Sequence, residues 1–492
     1  MSLISVENLT FAYPGSYDNI FVNVSFSLDT NWKLGFVGRN GRGKTTFLNL
    51  LMGKYEYSGK IHAGVRFSYF PYKIEDKTQL TKYVLDLVCP DVPDWQLMRE
   101  LNLLQVKEDV LWRPFDTLSG GEQTKVLLAA LFLNEGSFLL IDEPTNHLDT
   151  AARQCVAEYL KKKSGFILVS HDRAFLDGCV DHILSINRTD IEVRSGNFSN
   201  WFEDFGRRQQ AELEENERLK KDISRLKQAA RRTSDWSKKS ETAKYGEGHY
   251  DRGFAGHKAE KIMKRSKAIE ARQLAAIEKK ESLLKNRETA KDLKLSPLWY
   301  HSDLLVQVKD AVVCYDGRRV NAPCSFEVRR GDRIVLQGTN GCGKSSLLAA
   351  VMGRDIPISG LVKTASGLVI SHVSQNTEDL KGDLTDYARE SGIDESLFKA
   401  ILRQMDFERT QFEKDISSFS GGQKKKVLIA RSLCQQAHLY IWDEPLNFID
   451  LYSRLQIQNL ILQFCPTMLM VEHDIAFAGE VGTKFVEISP LS

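Results

Sequence analysis

The chain has 492 residues, enough for two or three domains with a core in each, and an ordinary globular composition of 42% apolar and 27% charged residues. Its net charge of +2 hides an uneven distribution: residues 206–295 carry 25 Lys/Arg against 15 Asp/Glu, a net of +10, which leaves −8 for the remainder. The eight cysteines are scattered without a CxxC pair, and the longest apolar run, eight residues from Val126, is far below the roughly 20 that cross a bilayer. These features argue against a disulfide framework, a zinc site and a membrane span. MSLISVENLT at the start has no signal pattern, and a reducing, cytoplasmic setting is expected.

Along the chain, KLGFV (33–37) reads as a strand, GRNGRGKT (38–45) as a Gly-rich turn and KTTFLNLLM as the helix it opens. LSGGEQ follows from Leu118, then FLLID ending at Asp142 with Glu143 next, then ILVSHD from Ile167. All of this recurs some 300 residues later: VLQGTNGCGKSSLLAAVMG from Val335, FSGGQ from Phe419, YIWDEPLNFID from Tyr440 and LMVEHD from Leu469. Gly38 to Asp142 is 104 residues and Gly338 to Asp443 is 105, so the chain holds two copies of one domain. Strands alternating with helical runs predict an α/β fold for each, over residues 1–204 and 296–492.

Residues 205–295 read differently, as long Glu/Lys/Arg/Ala/Leu/Gln stretches without proline. Leu219, Ile223, Leu226 and Ala230 follow a 4-3-4 spacing, and Ile262, Ile269, Ala276 (or Ile277) and Leu284 follow about seven, both suited to a coiled-coil seam. Glycines at 246, 248, 253 and 256 interrupt the pattern, which predicts an antiparallel helical hairpin with its tip there.

The chemistry sits in the repeated motifs. Gly38, Asn40, Gly41, Gly43, Lys44, Thr45 and Thr46 match a phosphate-binding loop in full, after a strand and before a helix; Gly338, Asn340, Gly341, Gly343, Lys344, Ser345 and Ser346 repeat it. The glycines let backbone N–H groups close on phosphates at a helix N-terminus, the lysine reaches the β/γ-phosphates, and Thr45 or Ser345 coordinates Mg²⁺. Asp142 and Asp443 end apolar strands, where a carboxylate suits Mg²⁺, and Glu143 and Glu444 beside them are placed to polarise a water. His171 and His473, each after a β-like run, are expected near the γ-phosphate.

LSGGEQ together with the phosphate loops and strand-end DE pairs resembles the ATP-binding cassette superfamily. The resemblance implies two tandem cassettes that sandwich two ATP molecules with Mg²⁺, each site joining one copy's phosphate loop to the other's signature. Site one then combines Lys44, Thr45, Asp142, Glu143 and His171 with Ser420, Gly421 and Gly422; site two combines Lys344, Ser345, Asp443, Glu444 and His473 with Ser119, Gly120 and Gly121. Tyr13 and Tyr315 fall where the family places an adenine-stacking aromatic, though each reads equally as a buried strand-end residue. The family's Q-loop glutamine, a metal-side residue, is Gln375 in the second copy, but Tyr72 stands there in the first and cannot supply the amide. His147-Leu148-Asp149 is likewise replaced by Phe448-Ile449-Asp450, so two unequal sites are expected, both able to hydrolyse ATP.

Two fused cassettes with a charged helical linker resemble the ABC-F proteins, and DRGFAGHKAEKIMKRSK in the linker is similar to their antibiotic-resistance branch of the Lsa/Vga type. That resemblance implies a monomer with intramolecular cassette pairing and no membrane partner. It further implies action at the ribosomal E site, displacement of P-site tRNA and release of lincosamide, streptogramin A or pleuromutilin drugs from the large subunit. A housekeeping translation factor and a transporter ATPase subunit are the competing readings. Tyr72 to Leu118 spans 46 residues and Gln375 to Phe419 spans 44, which leaves no room for an extra arm in the first cassette; only 19 residues follow His473, and no long extension is expected.

Independently of family, residues 227–267 carry a net +7, the footprint of a phosphate-backbone contact. The candidate RNA-binding residues are Lys238, Lys239, Lys244, Tyr245, His249, Tyr250, Arg252, Phe254, His257, Lys258, Lys261, Lys264, Arg265 and Lys267, with large-subunit ribosomal RNA as the expected partner. The aromatics among them either stack on bases or pack the hairpin's own turn.

Overall fold

The computed structural model describes residues 3–14, 19–90, 92–134, 136–186, 191–242, 295–315, 318–405, 407 and 409–491. In the first copy, strands β1 (Leu3–Phe11), β2 (Phe21–Asp29) and β4 (Ser58–Ala63) form an antiparallel sheet in the order β2-β1-β4. A second sheet is built from β3 (Lys33–Gly38), β5 (Arg66–Phe70), β6 (Ser137–Asp142), β7 (Phe166–Val169), β8 (His182–Ile186) and β9 (Ile191–Ser195), in the order β5-β6-β7-β3-β8-β9. Its pairings are parallel apart from β8–β9. Its central strands are continuous apolar runs such as FILV of β7, buried at every residue, as a sheet covered on both faces requires.

The second copy repeats the plan. β10 (Leu304–Tyr315) pairs antiparallel with β11 (Arg318–Arg319), β12 (Cys324–Arg329) and β14 (Ile358–Thr364). The parallel sheet runs β15 (Ile370–Val373), β16 (Leu439–Asp443), β17 (Met468–Val471), β13 (Arg333–Gln337), β18 (Lys484–Glu487). In both copies the strand carrying the phosphate loop lies two places from the strand carrying the DE pair. The strand that leads to the histidine lies between them. The carboxyl ends of all three therefore open at one edge, where open parallel sheets hold ligands.

Helix α1 (Lys44–Leu51) starts directly on the first phosphate loop. The span after β5 holds α2 (Thr81–Val88) and α3 (Asp94–Leu103), then α4 (Gly120–Leu133), α5 (Thr150–Lys161) and α6 (Arg173–Cys179) follow. After α7 (Phe198–Thr242), the second copy supplies α8 (Lys344–Val351), α9 (Leu384–Glu390), α10 (Glu395–Gln404), α11 (Gly421–Cys434), α12 (Leu451–Phe464) and α13 (Ile475–Val481). Two helices thus fill each span between the edge strand and the signature among the described residues, matching the equal spacing in sequence.

Met1–Trp201 and Lys291–Ser492 form one compact unit, and Phe202–Ala290 a second. In the second unit α7 continues unbroken to Thr242, with Ile223 buried, Leu219 and Leu226 half-buried and most described neighbours exposed. Lys238 and Lys239 lie near its end. The expected tip and returning helix, with the other RNA-binding candidates from Lys244 to Lys267, fall outside the described residues. No described helix is long and apolar enough to cross a membrane.

Candidate functional site

In the first phosphate loop, Gly41 and Gly43 adopt φ of 80° and 88°, which L-residues rarely reach, and this aims successive N–H groups inward. Lys44 Nζ donates to Gly38 O (2.7 Å), Arg39 O (3.2 Å) and Asn40 Oδ1 (3.2 Å). Thr45 Oγ1 donates to Asp142 Oδ2 at 2.9 Å, so the loop's hydroxyl and the strand-end carboxylate already share one point. His171 Nε2 stands 3.0 Å from Asn40 Oδ1 and 3.3 Å from Glu143 Oε1, the latter without a formed hydrogen bond. In the second copy, Lys344 Nζ donates to Gly338 O and Thr339 O, both at 2.8 Å, and His473 Nε2 lies 3.5 Å from Glu444 Oε1.

Glu143 and Glu444 share a second property: their φ values of 51° and 45° lie in the left-handed region, where a non-Gly residue costs on the order of 1–3 kcal/mol. Both copies hold the strain at the position proposed to polarise water. Electrostatically the two differ. Burial pushes Glu143 up to about 8 and Asp142 adds to the rise, while Lys44, Arg454 and Arg153 pull it back. Burial also raises Glu444, but the His473 imidazole and the Gln375 amide outweigh it and the net direction is down. Burial, then Lys44, pushes His171 well below the usual imidazole range.

The signature serines start α4 and α11 with capping boxes: Ser119 with Glu122, and Ser420 with Gln423. Gly422 is there for space, because a Cβ would sit 2.5 Å from Phe448 O. A cavity of about 530 Å³ brings together Gly120, Asn146, Leu148 and Arg153 of the first copy with Lys344, Ser345, Gln375, Glu444 and His473 of the second. The first copy's signature glycine thus shares a cavity with the second copy's phosphate loop, the composite expected for site two. At site one, Asn40 Nδ2 donates to Phe448 O at 3.0 Å, and the Arg39 guanidinium lies 5.0 Å from the Tyr452 ring centre. Tyr13 and Tyr315 are exposed, not buried, and their hydroxyls meet Thr46 and Ser346 Oγ at 2.8 Å, each ring sitting beside its phosphate loop.

Three side chains at the sites escape motif reading. Tyr69, on β5, donates to Asp142 Oδ2 at 3.0 Å. Lys425 is buried and donates to Ser374 O (2.8 Å) and Asp443 O (3.1 Å), tying the Gln375 loop to the DE strand. Burial holds it down to about 8, against the opposing pull of Asp443, Glu444 and Glu472. Glu472, equally buried, accepts the N–H groups of His473 (2.8 Å) and Asp474 (3.0 Å). The first copy has neutral Thr124 and Ser170 at these two places.

For a divalent cation, the donors present are Thr45 Oγ1 with Asp142, and Ser345 with Asp443 and Gln375. Asp443 Oδ1 is buried without a hydrogen-bond partner among the described residues, and burial pushes its carboxyl up, the condition a cation would relieve. Oxygen-only donors at a strand end suit Mg²⁺, so the residues fit the ion.

The ABC transporter family model matches residues 21–146 and 322–447, together about half the chain and one match per copy. The chain belongs to this family. It is an ATPase with two tandem cassettes. The ribosome protection protein VmlR of Bacillus subtilis (strain 168) is 26% identical, over 99% of this chain and 87% of that protein. The energy-dependent translational throttle protein EttA of Haemophilus influenzae is 24% identical, over 95% and 89%. Arabidopsis thaliana ABC transporter F family member 2 is 24% identical over 99% of this chain and 76% of its own length. This whole-length likeness supports an ABC-F ATPase. Among solved structures, the archaeal ribosome recycling factor aABCE1, in complex with ribosomal stalk protein aP1, shares the fold with a TM-score of 0.65 at 18% identity, covering 99% of this chain and 90% of that one.

Proposed function

We propose that this ATPase is a ribosome-acting ABC-F protein of the protection type. It binds the E site when ATP closes both composite sites, and its linker displaces P-site tRNA and releases large-subunit drugs of the lincosamide, streptogramin A or pleuromutilin class. The observation that carries the ATP-dependent part is the cavity shared by Gly120 and the Lys344 loop, since a nucleotide there touches both cassettes at once. The likeness to VmlR over nearly the whole chain supports the ribosomal part.

Bound Mg²⁺ would supply charge neutralisation on the nucleotide's phosphates. Thr45 with Asp142, and Ser345 with Asp443 and Gln375, would hold it. Lys44 and Lys344 leave their loop carbonyls for phosphate oxygens, Ser420, Gly421 and Gly422 close site one, and Ser119, Gly120 and Gly121 close site two. Glu143 and Glu444 orient the attacking water, with His171 and His473 beside the γ-phosphate. Residues 1–204, 205–295 and 296–492 are the proposed division into cassette, linker and cassette, and the net +7 of residues 227–267 is the proposed RNA contact.

Glu143→Gln combined with Glu444→Gln tests this reading. The double variant is expected to co-sediment with purified ribosomes in ATP and not without it; a variant that stays in the supernatant with ATP present overturns the proposal. A housekeeping translation role is favoured instead by the likeness to EttA. Unchanged susceptibility to all three drug classes on expression selects that reading.

A further inference from the structure

Two side-chain relays, built on equivalent residues, connect the phosphate loops. In the first, His171 stands over Asn40, and the next residue, Asp172, accepts from Arg153 Nη1 at 2.9 Å in a buried ion pair. Arg153 Nε also donates to Leu148 O at 3.0 Å, holding the loop that runs from Glu143 to Asp149. Leu148 and Arg153 line the site-two cavity, and Asp149 Oδ2 accepts the backbone N–H of Asn340, in the second phosphate loop, at 3.3 Å. In the second relay, Asp474 follows His473 and accepts from Arg454 Nη1 at 2.9 Å. Arg454 holds Ile449 O (2.9 Å) and Leu446 O (3.0 Å), and Phe448 O between them accepts Asn40 Nδ2, in the first phosphate loop.

We propose that Arg153 and Arg454 are positioning residues that couple the two ATP sites, each linking the histidine beside one nucleotide to the phosphate loop that holds the other. A guanidinium suits the task because its rigid fork engages a carboxylate and a backbone carbonyl together, so neither partner shifts without the other. A simple brace within one cassette needs no ending on the opposite cassette, and both relays end there. The ends differ. The first finishes on the Asp149 side chain and the second on the Phe448 carbonyl, because Asp450, the counterpart of Asp149, is kept in its own cassette by Lys426 (2.8 Å) and Ser453. Asn40 receives the second relay and also touches Lys44 and His171, so the signal arrives at the residues that face the phosphates.

The test measures ATP binding by calorimetry in the Glu143→Gln/Glu444→Gln protein, where nucleotide is not consumed. The coupling factor is the affinity of the second site with the first site filled, divided by its affinity when Lys44→Ala disables the first. The parent is expected to show a factor within about 5- to 150-fold. Arg153→Lys keeps the buried charge but cannot span both acceptors, and Asp149→Ser keeps a cap for α5 at Ala152 while losing the reach to Asn340. Each is expected to lower the factor several-fold, and Arg153→Lys with Arg454→Lys to bring it close to one. Because the factor is a ratio, a variant that only loosens a site changes both measurements and leaves it standing. A parent factor of one, or parental factors in Asp149→Ser and in the double lysine variant, overturns the proposal. Should the lysine variants fail to fold, Asp149→Ser decides alone.

Discussion

The two cassettes share a plan and differ in how they compensate charge around it. The second site keeps Gln375, has a glutamate held low beside His473, and embeds a lysine and a second glutamate behind the DE strand. The first site replaces the glutamine by Tyr72, uses the Tyr69 hydroxyl on Asp142, and leaves Glu143 raised to about 8 by burial and Asp142, with Thr124 and Ser170 at the places of Lys425 and Glu472. A duplicated fold therefore fixes where the reactive groups stand but leaves their ionisation to the neighbours each site supplies. Equal geometry with unequal electrostatics means that the sites should be separable by pH and by substitution.

The largest effect should come from the chemistry itself. Glu143→Gln with Glu444→Gln is expected to lower the steady-state ATPase rate by about 10²–10⁴-fold, the usual range for losing a general base. Each single variant retains the other site's share, and the ratio of the two residual rates gives the inequality directly. Equal residual rates would remove the functional side of the contrast.

Next comes the buried lysine behind the second site. Lys425→Thr leaves the Ser374 and Asp443 carbonyls without their buried donor and should cost about 1–3 kcal/mol in chemical denaturation. A cost near zero would show that the lysine does not tie the Gln375 loop to the DE strand.

A smaller effect separates the glutamates by pH in the nucleotide-free protein. Glu143 is raised from 4.5 to about 8 on folding, so folding binds its proton more tightly, and stability is lost as pH rises from 4.5 to 8. Glu143→Gln should therefore be increasingly stabilising as pH rises from 4.5 to 8, relative to its effect below 4.5. Glu444 is lowered on folding and contributes stability that is fully present above 4.5 and is lost as pH falls through its lowered folded value, so Glu444→Gln should destabilise at pH 8 and progressively less in acid. Melting temperatures of both variants across this range check the opposite signs.

The smallest is Tyr69→Phe. Losing one hydrogen bond to Asp142 should cost about 0.5–1.5 kcal/mol and raise the Mg²⁺ concentration needed for half-maximal ATP binding at site one, with a smaller change at site two. An unchanged Mg²⁺ titration would make the hydroxyl a bystander.

Much of this was legible in the chain. The phosphate loops, DE pairs and histidines repeat at equal spacing, and because strand order brings three carboxyl ends to one edge, residues about 100 apart meet as the motifs require. The second-layer residues were not legible, for physical reasons. Lys425 and Lys426 stand in the run KKK, which by composition reads as a solvated face, yet the helix turns these two inward to meet carbonyls and Asp450. The strain at Glu143, Glu444 and Phe448 (φ 63°) also leaves no mark in composition, since it arises from what the backbone must reach. Tyr13 and Tyr315 were ambiguous between buried and stacking roles because an aromatic at a strand end serves either, and only their exposure separates the two.

The burial of Lys425 and Glu472 also constrains how such a protein can change over generations. Thr124 and Ser170 occupy the same two places in the other half, so removing either charge leaves its present partners to be satisfied anew: the Ser374 and Asp443 carbonyls for the lysine, the His473 and Asp474 N–H groups for the glutamate. A chain assembled from two copies of either half would inherit matched chemistry and lose the inequality between its two sites.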